Sequence, residues 1–287
     1  MIEALEFLAA PFAAAAVLVL ILGYFGLHVL LRGVIFVDLA LAQIAALGTL
    51  VAFLLHHEPG SPAAFGYSFG AALVGAALFA FSRTKSRAVP QEAIIGISYV
   101  IASALGILLA DQAPEGAEHI KEMLAGAIVW VSWPTVLRNL ALVAAVALFH
   151  WVLRRRFRTI SEHPAQAEAA GWRLPWWDFL FYASFGLVVT LAVEIAGVLM
   201  VFAYLVAPAI LALGSSRSWA KRLAIAWGAG LLASAAGLGA SYRWDFPSGP
   251  AIVCTLGLFL VVYALWRRLR GRPVEGVAVE DELAAAG

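Results

Sequence analysis

The stretch FAAAAVLVLILGYFGLHVLL, residues 12–31, is apolar over a full helix length, with a histidine as its most polar side chain. An α-helix needs about 20 predominantly apolar residues to cross the hydrocarbon core of a bilayer. The rest of the chain is similar, since 63% of its 287 residues are hydrophobic and only 13% are charged. Soluble domains are roughly half apolar and a quarter charged. The sequence therefore predicts an all-α, polytopic membrane helix bundle.

Hydropathy predicts eight or nine spans, because the region 176–213 fits either two tightly turned helices or one span with a broken partner. The predicted spans cover residues 12–31, 34–55, 62–81, 92–110, 136–153, 176–193, 196–213, 223–240 and 250–266. The N-terminal segment has no basic residue before its apolar run, so this run is expected to be a retained span rather than a signal peptide. Residues 1–272 are predicted to form one transmembrane domain, and the acidic tail, 273–287, is predicted to be disordered and cytoplasmic.

Basic residues are distributed unevenly between the two sides of this scheme. With the N-terminus outside and the C-terminus inside, sixteen of the 19 lysines and arginines fall on inner connections. The three exceptions are Lys121, Arg138 and Arg243. Because the positive-inside rule predicts this skew, the sequence indicates an outer N-terminus and an inner C-terminus. A net charge of +1 gives no reason to expect a nucleic-acid partner.

Small residues and histidines give further expectations about packing. Three pairs repeat the spacing that lets helices approach closely in lipid: Gly66 and Gly70, Gly230 and Ser234, Gly237 and Ser241. His28 and His150 lie near predicted inner span ends, where the expected role is anchoring at the membrane interface.

Motifs of soluble enzymes are missing from the chain. The sequence has no GxxxxGK[ST] phosphate loop and no HExxH. Cys254 is the only cysteine, which excludes an intrachain disulfide and a cysteine cluster for metal. We therefore expect neither enzymatic activity of its own nor a permanently bound cofactor.

The stretch RGVIFVDLALAQIAALG, residues 32–48, places a carboxylate and an amide inside a predicted span. A charged group at the bilayer centre costs about 2.5–3.5 kcal/mol on insertion scales, so Asp38 is expected to face a cavity or a partner. It is a candidate metal ligand, or else it pairs with an inner-loop arginine or bonds to another helix. Gln43 is a second candidate ligand or an interhelical hydrogen-bonding group. Five residues place the two side chains roughly 140° apart on a helix, so they do not share one face.

Asp245 lies in SYRWDFPSGP, residues 241–250, at the predicted outer mouth of the bundle. Pro247, Gly249 and Pro250 are expected to fix a turn directly before the last span. A positioned carboxylate suits a hard or borderline cation, so Asp245 is a third candidate metal ligand. The alternative is a residue that only forms the turn.

The inner connection ISEHPAQAEAAGW, residues 160–172, has the signals of a short helix. Pro164 suits a first helical position, and Gly171 suits a C-terminal stop. Five arginines flank this segment on the predicted cytoplasmic side. The segment is therefore a candidate docking helix for a soluble motor protein.

Four segments together resemble the integral-membrane permeases of bacterial ABC importers for zinc, manganese and iron. They are EAIIGISYVIASALGILL (92–109), HPAQAEAAG (163–171), GVLMVFAYLVAPAILA (197–212) and SYRWDFPSGPAIV (241–253), and the likeness extends from about residue 14 to 266. The resemblance implies a homodimer driven by two copies of a cytoplasmic ATPase and supplied by an external solute-binding protein. The cargo would be a divalent metal ion. It also implies that the coupling helix, which enters a cleft on the ATPase, contains His163, Pro164, Ala167 and Gly171.

The second span departs from the pattern of this family. Similar members carry Gly-Asp-x-x-x-His there, whereas this chain has Gln43 at the histidine position and Leu39 at the aspartate position. Asp38 replaces the glycine. Since an amide oxygen is a weaker zinc ligand than imidazole, a harder ion or an organic chelate, such as a siderophore or corrinoid, is an alternative cargo.

Two further classes of protein are less compatible with the sequence. An ion-coupled secondary transporter predicts charged pairs at mid-membrane and repeated halves, and the chain shows few such charges and no clear repeat. An intramembrane enzyme needs reactive groups that converge inside the bundle, and no spacing suggests them. The ABC importer permease is the leading hypothesis.

Overall fold

The structure is a computed structural model that describes residues 2–58, 60–83, 90–111, 126 and 128–270, with side chains from residue 6 onward. These residues form helices and connecting turns. The predicted tail, 273–287, the domain boundary at residue 272 and the outer connection around Lys121 lie outside the described residues.

The helices follow the apolar runs of the sequence and are numbered here in chain order. They are α1 (Ile2–Arg32), α2 (Val37–Leu54), α3 (Pro62–Phe81), α4 (Gln91–Asp111), α5 (Trp133–Val152), α6 (Arg154–Glu162), α7 (Pro164–Ala169), α8 (Leu174–Ser215), α9 (Trp219–Trp244) and α10 (Ser248–Leu269), with a 3-10 turn at Ile128–Trp130. Eight of them, all except α6 and α7, are long and apolar enough to cross a membrane. The predicted all-α bundle with eight or nine spans is confirmed.

Helix α8 bends sharply at Gly197, whose backbone has φ 73° and ψ 159°. Glycine adopts this conformation without the steric cost that a side chain would bring. Near the start of α8, Asp178 pairs with Arg32 at the end of α1. Just beyond the end of α8, the ring of Trp219 packs 4.9 Å from the ring of His28, one turn earlier in α1. Both ends of α8 therefore lie at the same end of the bundle, so this helix crosses twice and the described helices make nine crossings.

The two ends of the bundle differ in charge and are named here for that difference. The basic end contains α6, α7 and Arg32; the far end contains residues 55–58 and 60–62, the 3-10 turn and residues 241–249. The first described side chains lie at the far end, where the ring of Phe7 is 6.3 Å from the rings of Trp130 and Tyr242. At the other terminus, Arg267 donates a hydrogen bond to the carbonyl of Gly214 at the basic end. The described chain thus begins and finishes at opposite ends.

Helix α8 is the most enclosed span of the bundle, and α4 and α10 are its periphery. In the most apolar stretch of each helix, 72% of the residues are buried in α8 but only 17% in α4 and in α10. The outer helices therefore present apolar side chains away from the core, as expected where lipid or a second protein surrounds them. Because α8 packs on α1, α2, α3, α9 and α10, it connects the parts of the bundle that carry the candidate site.

Two of the three predicted small-residue contacts are confirmed. A Cβ atom on Gly230 would meet Val19 of α1, and one on Gly237 would meet Ile252 of α10. The prediction for Gly66 and Gly70 is wrong among the described residues, because a Cβ atom on either would meet none of them within 4 Å. Their side of α3 borders an open groove on the surface rather than another helix.

Candidate functional site

The inner connection forms two short helices that project at the basic end. Pro164 occupies the first turn of α7, as predicted, and α7 ends after six residues. Gly171 has φ 74°. Its N–H donates to the carbonyl of Glu168, and the N–H of Trp172 donates to that of Ala167. This pair of bonds is a Schellman motif, which ends a helix with a left-handed residue and satisfies its last carbonyls.

One side of α7 is fixed to the bundle and the other is exposed. Ala167 is fully buried against Ile160 of α6 and Leu174 at the start of α8. His163 and Pro164 lie on the exposed side. Of the four predicted coupling residues, Ala167 therefore attaches the helix, Gly171 ends it, and His163 and Pro164 are available to a partner.

A buried ion cluster lies directly beneath α6. The carboxylate of Asp178 in α8 accepts a hydrogen bond from Arg32 of α1, with 2.6 Å between Oδ1 and Nη1. Its other oxygen accepts from Arg83, which follows α3. The Asp178 side chain is 1% exposed and that of Arg32 is 6% exposed. Arg32 also donates from Nε to the hydroxyl of Ser161 in α6, at 2.9 Å. One carboxylate thereby joins α1, α8 and the segment after α3, and Arg32 extends the link to α6.

Two buried histidines extend this polar cluster into the bundle. The Nδ1 atom of His28 lies at hydrogen-bond distance, 2.8 Å, from the hydroxyl of Ser161, which also accepts from Arg32. The Nε2 atom of His150 is 2.8 Å from Ser184, whose own hydrogen goes to a backbone carbonyl. His150 thus donates through Nε2 and accepts from the hydroxyl of Tyr24 through Nδ1, at 3.2 Å. The prediction that His28 and His150 anchor the chain at the interface is wrong, since they are 0% and 2% exposed and hold helices together.

Asp178 is a buried, ion-paired residue that sequence reasoning missed. The signal was present, because Asp178 is the only charged residue between Leu174 and Val193. Its partners, Arg32 and Arg83, are 146 and 95 residues away in the chain. The sequence suggested an inner-loop arginine as a partner for Asp38; in the structure Arg32 and Arg83 both bind Asp178 instead.

Asp38 lies in the first turn of α2 and is completely buried. Within the described part of the chain, neither of its carboxylate oxygens has a hydrogen-bond partner. A buried carboxylate without partners is costly, because the water that it loses is not replaced. Such a group is a candidate for binding a proton or a cation that the structure does not contain.

The other two candidate metal ligands lie elsewhere. Gln43 is half-buried on α2, and Asp245 is exposed at the far end, where it ends α9 in a left-handed conformation with φ 54°. The chain turns before the last span, but Gly249 and Pro250, which were predicted to belong to the turn, lie in the first turn of α10, which begins at Ser248. Asp38 and Asp245 lie at opposite ends of the bundle. Among the described residues, no three side chains of His, Cys, Asp or Glu form a group that could hold a metal ion.

A cavity of about 540 Å³ opens at the far end between α2, α3, α5 and α8. Its lining is mostly small and apolar, and its polar members are Thr49, Ser61, Ser68, Arg138, Thr190 and Glu194. Arg138 and Glu194 form an ion pair at 3.6 Å. The cavity reaches down α2 as far as Ala42, which is four residues from Asp38. The far end therefore contains a chamber, and the basic end contains an exposed helix with a rigid support.

Comparison with known proteins gives consistent matches over nearly the whole chain. The family model described as ABC 3 transport family matches residues 4–267. A manganese transport system membrane protein of Listeria monocytogenes is 25% identical over 256 residues, which cover 87% of this chain and 86% of the relative. A probable iron transport system membrane protein of Haemophilus influenzae is 22% identical, with 93% and 96% covered.

A solved structure supports the same fold. A chain of PsaBC from Streptococcus pneumoniae, in complex with a Fab, superposes with a TM-score of 0.76 at 24% identity and covers 91% of this chain and 93% of that one. Together with the eight apolar helices, these matches show a transport component that spans the bacterial inner membrane several times.

Proposed function

The chain belongs to the ABC 3 transport family, and we propose that it is the permease subunit of an importer for a divalent metal ion, driven by a separate ATP-binding subunit. The relatives named for manganese and iron transport support manganese or iron as the cargo. The proposal rests on α7, which is an exposed helix. The Schellman motif ends this helix, and the buried Asp178 cluster supports it. A rigid support of this kind suits a helix that must transmit force from an ATPase to the spans.

In this proposal the basic end faces the cytoplasm. The arginines of α6, of the α8–α9 connection and of the end of α10 all lie there, whereas Arg138 and Arg243 lie at the far end. The positive-inside rule supports this orientation, and a cytoplasmic ATPase would then reach α7. The far end would face a solute-binding protein that delivers the metal.

The proposal also includes a homodimer, as the family resemblance implies. The outer sides of α4 and α10 are apolar and are not covered within a single copy. They therefore offer surface for contact with a second copy. One copy offers one α7, so two copies would present two docking helices to a pair of ATP-binding subunits.

Gly171→Val is expected to abolish association with the ATP-binding subunit, because a β-branched residue disfavours φ 74° and the end of α7 would rearrange. Gly33→Val is the matched control, since Gly33 has φ 66° at the same end and open space around it but lies outside α7. The measurement is co-purification with a tagged, co-expressed ATP-binding subunit, together with manganese uptake into proteoliposomes. If the two variants bind the ATPase equally well, α7 is not the coupling helix.

Asp38→Asn is expected to lower manganese uptake several-fold, because it removes the charge of a buried, unpartnered carboxylate while keeping its volume. Asn139→Leu is the matched control, because Asn139 is also buried, in α5, and its amide atoms are also without partners in the described residues. The readout is the initial rate of uptake at equal amounts of folded complex. Unchanged uptake by Asp38→Asn would make Asp38 a packing residue.

A further inference from the structure

Three consecutive exposed arginines begin helix α6, and they are named here the arginine patch: Arg154, Arg155 and Arg156. The other side of α6 is fixed in the bundle, because the buried ring of Phe157 stacks 4.4 Å from the ring of His150. At about 100° per residue, Arg155 lies nearly opposite to Phe157, and its two neighbours lie on either side of it. The patch is therefore a charged surface on an anchored helix.

Tryptophan rings, rather than carboxylates, hold two of the three guanidinium groups. That of Arg154 lies 4.7 Å from the centre of the Trp151 ring and also donates to the Trp151 carbonyl at 2.8 Å. That of Arg156 lies 4.7 Å from the centre of the Trp177 ring. Among the described residues, none of the three patch arginines forms an ion pair, whereas the next arginine of α6 pairs with Glu162. Because a cation–π contact does not neutralise the cation, the patch keeps three positive charges for an anion.

The arginine patch directly follows an exposed, apolar part of α5. Near the end of that helix, Leu148, Trp151 and Val152 are 60%, 62% and 63% exposed. An apolar surface of this kind on a spanning helix suits contact with the membrane. Tryptophan is enriched where the hydrocarbon layer meets the lipid headgroups, so Trp151 marks that level. Since Arg154 packs on Trp151, the patch begins at the level of the headgroups.

Phosphate is the anion whose chemistry fits these side chains. A guanidinium group presents paired N–H donors that match two oxygens of a phosphate, and it stays charged at all physiological pH values. An anionic phospholipid carries this phosphate together with acyl chains, which would lie against the exposed apolar side of α5. Basic residues next to a spanning helix are known to attract anionic lipid surfaces. The apolar neighbours of the patch therefore favour a lipid over a soluble anion or an acidic protein.

We propose that the arginine patch binds the headgroup of an anionic phospholipid at the membrane surface. Arg155 is the central contact, and Arg154 and Arg156, each placed by a tryptophan ring, bind the headgroup from its two sides. This site is independent of the transported ion and of the ATP-binding subunit, and it would fix the α5–α6 corner to the membrane surface.

The test measures binding of phosphatidylglycerol to the delipidated, full-length protein in detergent, titrated by native mass spectrometry. The triple variant Arg154→Gln, Arg155→Gln, Arg156→Gln is expected to weaken binding about tenfold or more, because its charge-assisted contacts are lost. Arg155→Gln alone, which disturbs no tryptophan contact, is expected to weaken binding about fivefold. Phosphatidylcholine, which has no net charge, is expected to bind weakly and equally to all of these proteins.

A second triple variant is the matched control: Arg217→Gln, Lys221→Gln, Arg268→Gln. These three residues are exposed at the basic end, and among the described residues none of them lies over an aromatic ring. Both triple variants lower the net charge by the same amount, so long-range attraction to the lipid changes equally. The control is expected to retain most of its affinity for phosphatidylglycerol.

Three results would overturn the lipid site. Equal weakening by the two triple variants would mean that net charge alone attracts the lipid. Displacement of the lipid by inorganic phosphate at the same concentration would make the patch a site for free phosphate. Unchanged lipid binding by the patch variant, together with loss of co-purification with the ATP-binding subunit, would make the patch a protein contact. Because the lipid titration contains no ATP-binding subunit and no metal, its outcome leaves the tests on Gly171 and Asp38 independent.

Discussion

Replacement of Asp178 by alanine is expected to lower the free energy of unfolding by about 3–5 kcal/mol, the cost of removing one partner of a buried ion pair. The carboxylate neutralises Arg32 and Arg83, and its removal leaves the buried guanidinium of Arg32 without a counter-ion. The link among α1, α8 and the end of α3 would be lost at the same time. The measurement is the unfolding midpoint of the detergent-solubilised protein, followed by tryptophan fluorescence.

Glu162→Ala is the matched control for this prediction. Glu162 also lies between two arginines at the basic end, 3.4 Å from Arg158 and 3.6 Å from Arg222, but is 21% exposed. Exposed pairs contribute about 0–1 kcal/mol, so the control is expected to change the midpoint little. Asp178→Asn, which retains an acceptor oxygen without the charge, is expected to fall between the two. Equal effects of Asp178→Ala and Glu162→Ala would refute the role of the buried cluster.

Gly26→Val is expected to prevent stable packing of α1 against α8. A Cβ atom on Gly26 would coincide with the backbone carbonyl of Leu205 and would crowd the methyl group of Ala209. Backbone cannot rotate away as a side chain can, so the two helices must separate along much of their contact. Overpacking of a core costs about 1–3 kcal/mol and occasionally more. Because α1 and α8 form the centre of the bundle, we expect the upper part of that range for valine.

Gly23→Ala provides the control, one turn earlier on the same helix. Its Cβ atom would lie 3.4 Å from the edge of the Trp227 ring, which is ordinary contact. The comparison uses Gly26→Ala against Gly23→Ala, so both variants gain the same methyl group and the same helix propensity. The yield of monodisperse protein and the unfolding midpoint should fall only for Gly26→Ala. Similar behaviour of the two alanine variants would show that the contact with Leu205 is less tight than the structure indicates.

Much of the architecture was predictable because lipid imposes simple rules on sequence. Apolar runs of about 20 residues marked the spans, and their lengths gave eight or nine. Helix α7 was also predictable, since Pro164 and Gly171 act locally: the fixed φ of proline suits a helix start, and glycine tolerates the left-handed stop. The described chain begins and finishes at opposite ends of the bundle, which agrees with an odd number of spans.

The tertiary structure decided the contacts between residues that are far apart in sequence. Asp178, Arg32 and Arg83 meet because three helices end at one place, and no local pattern encodes that meeting. The double crossing of α8 depends on Gly197, one glycine among 25. Asp38 could be recognised as costly in lipid from the sequence, but its missing partners and the cavity above it exist only once α2, α3, α5 and α8 are packed. Hydropathy is a property of short segments and determines the spans, whereas charge pairing and enclosed space are properties of the whole bundle.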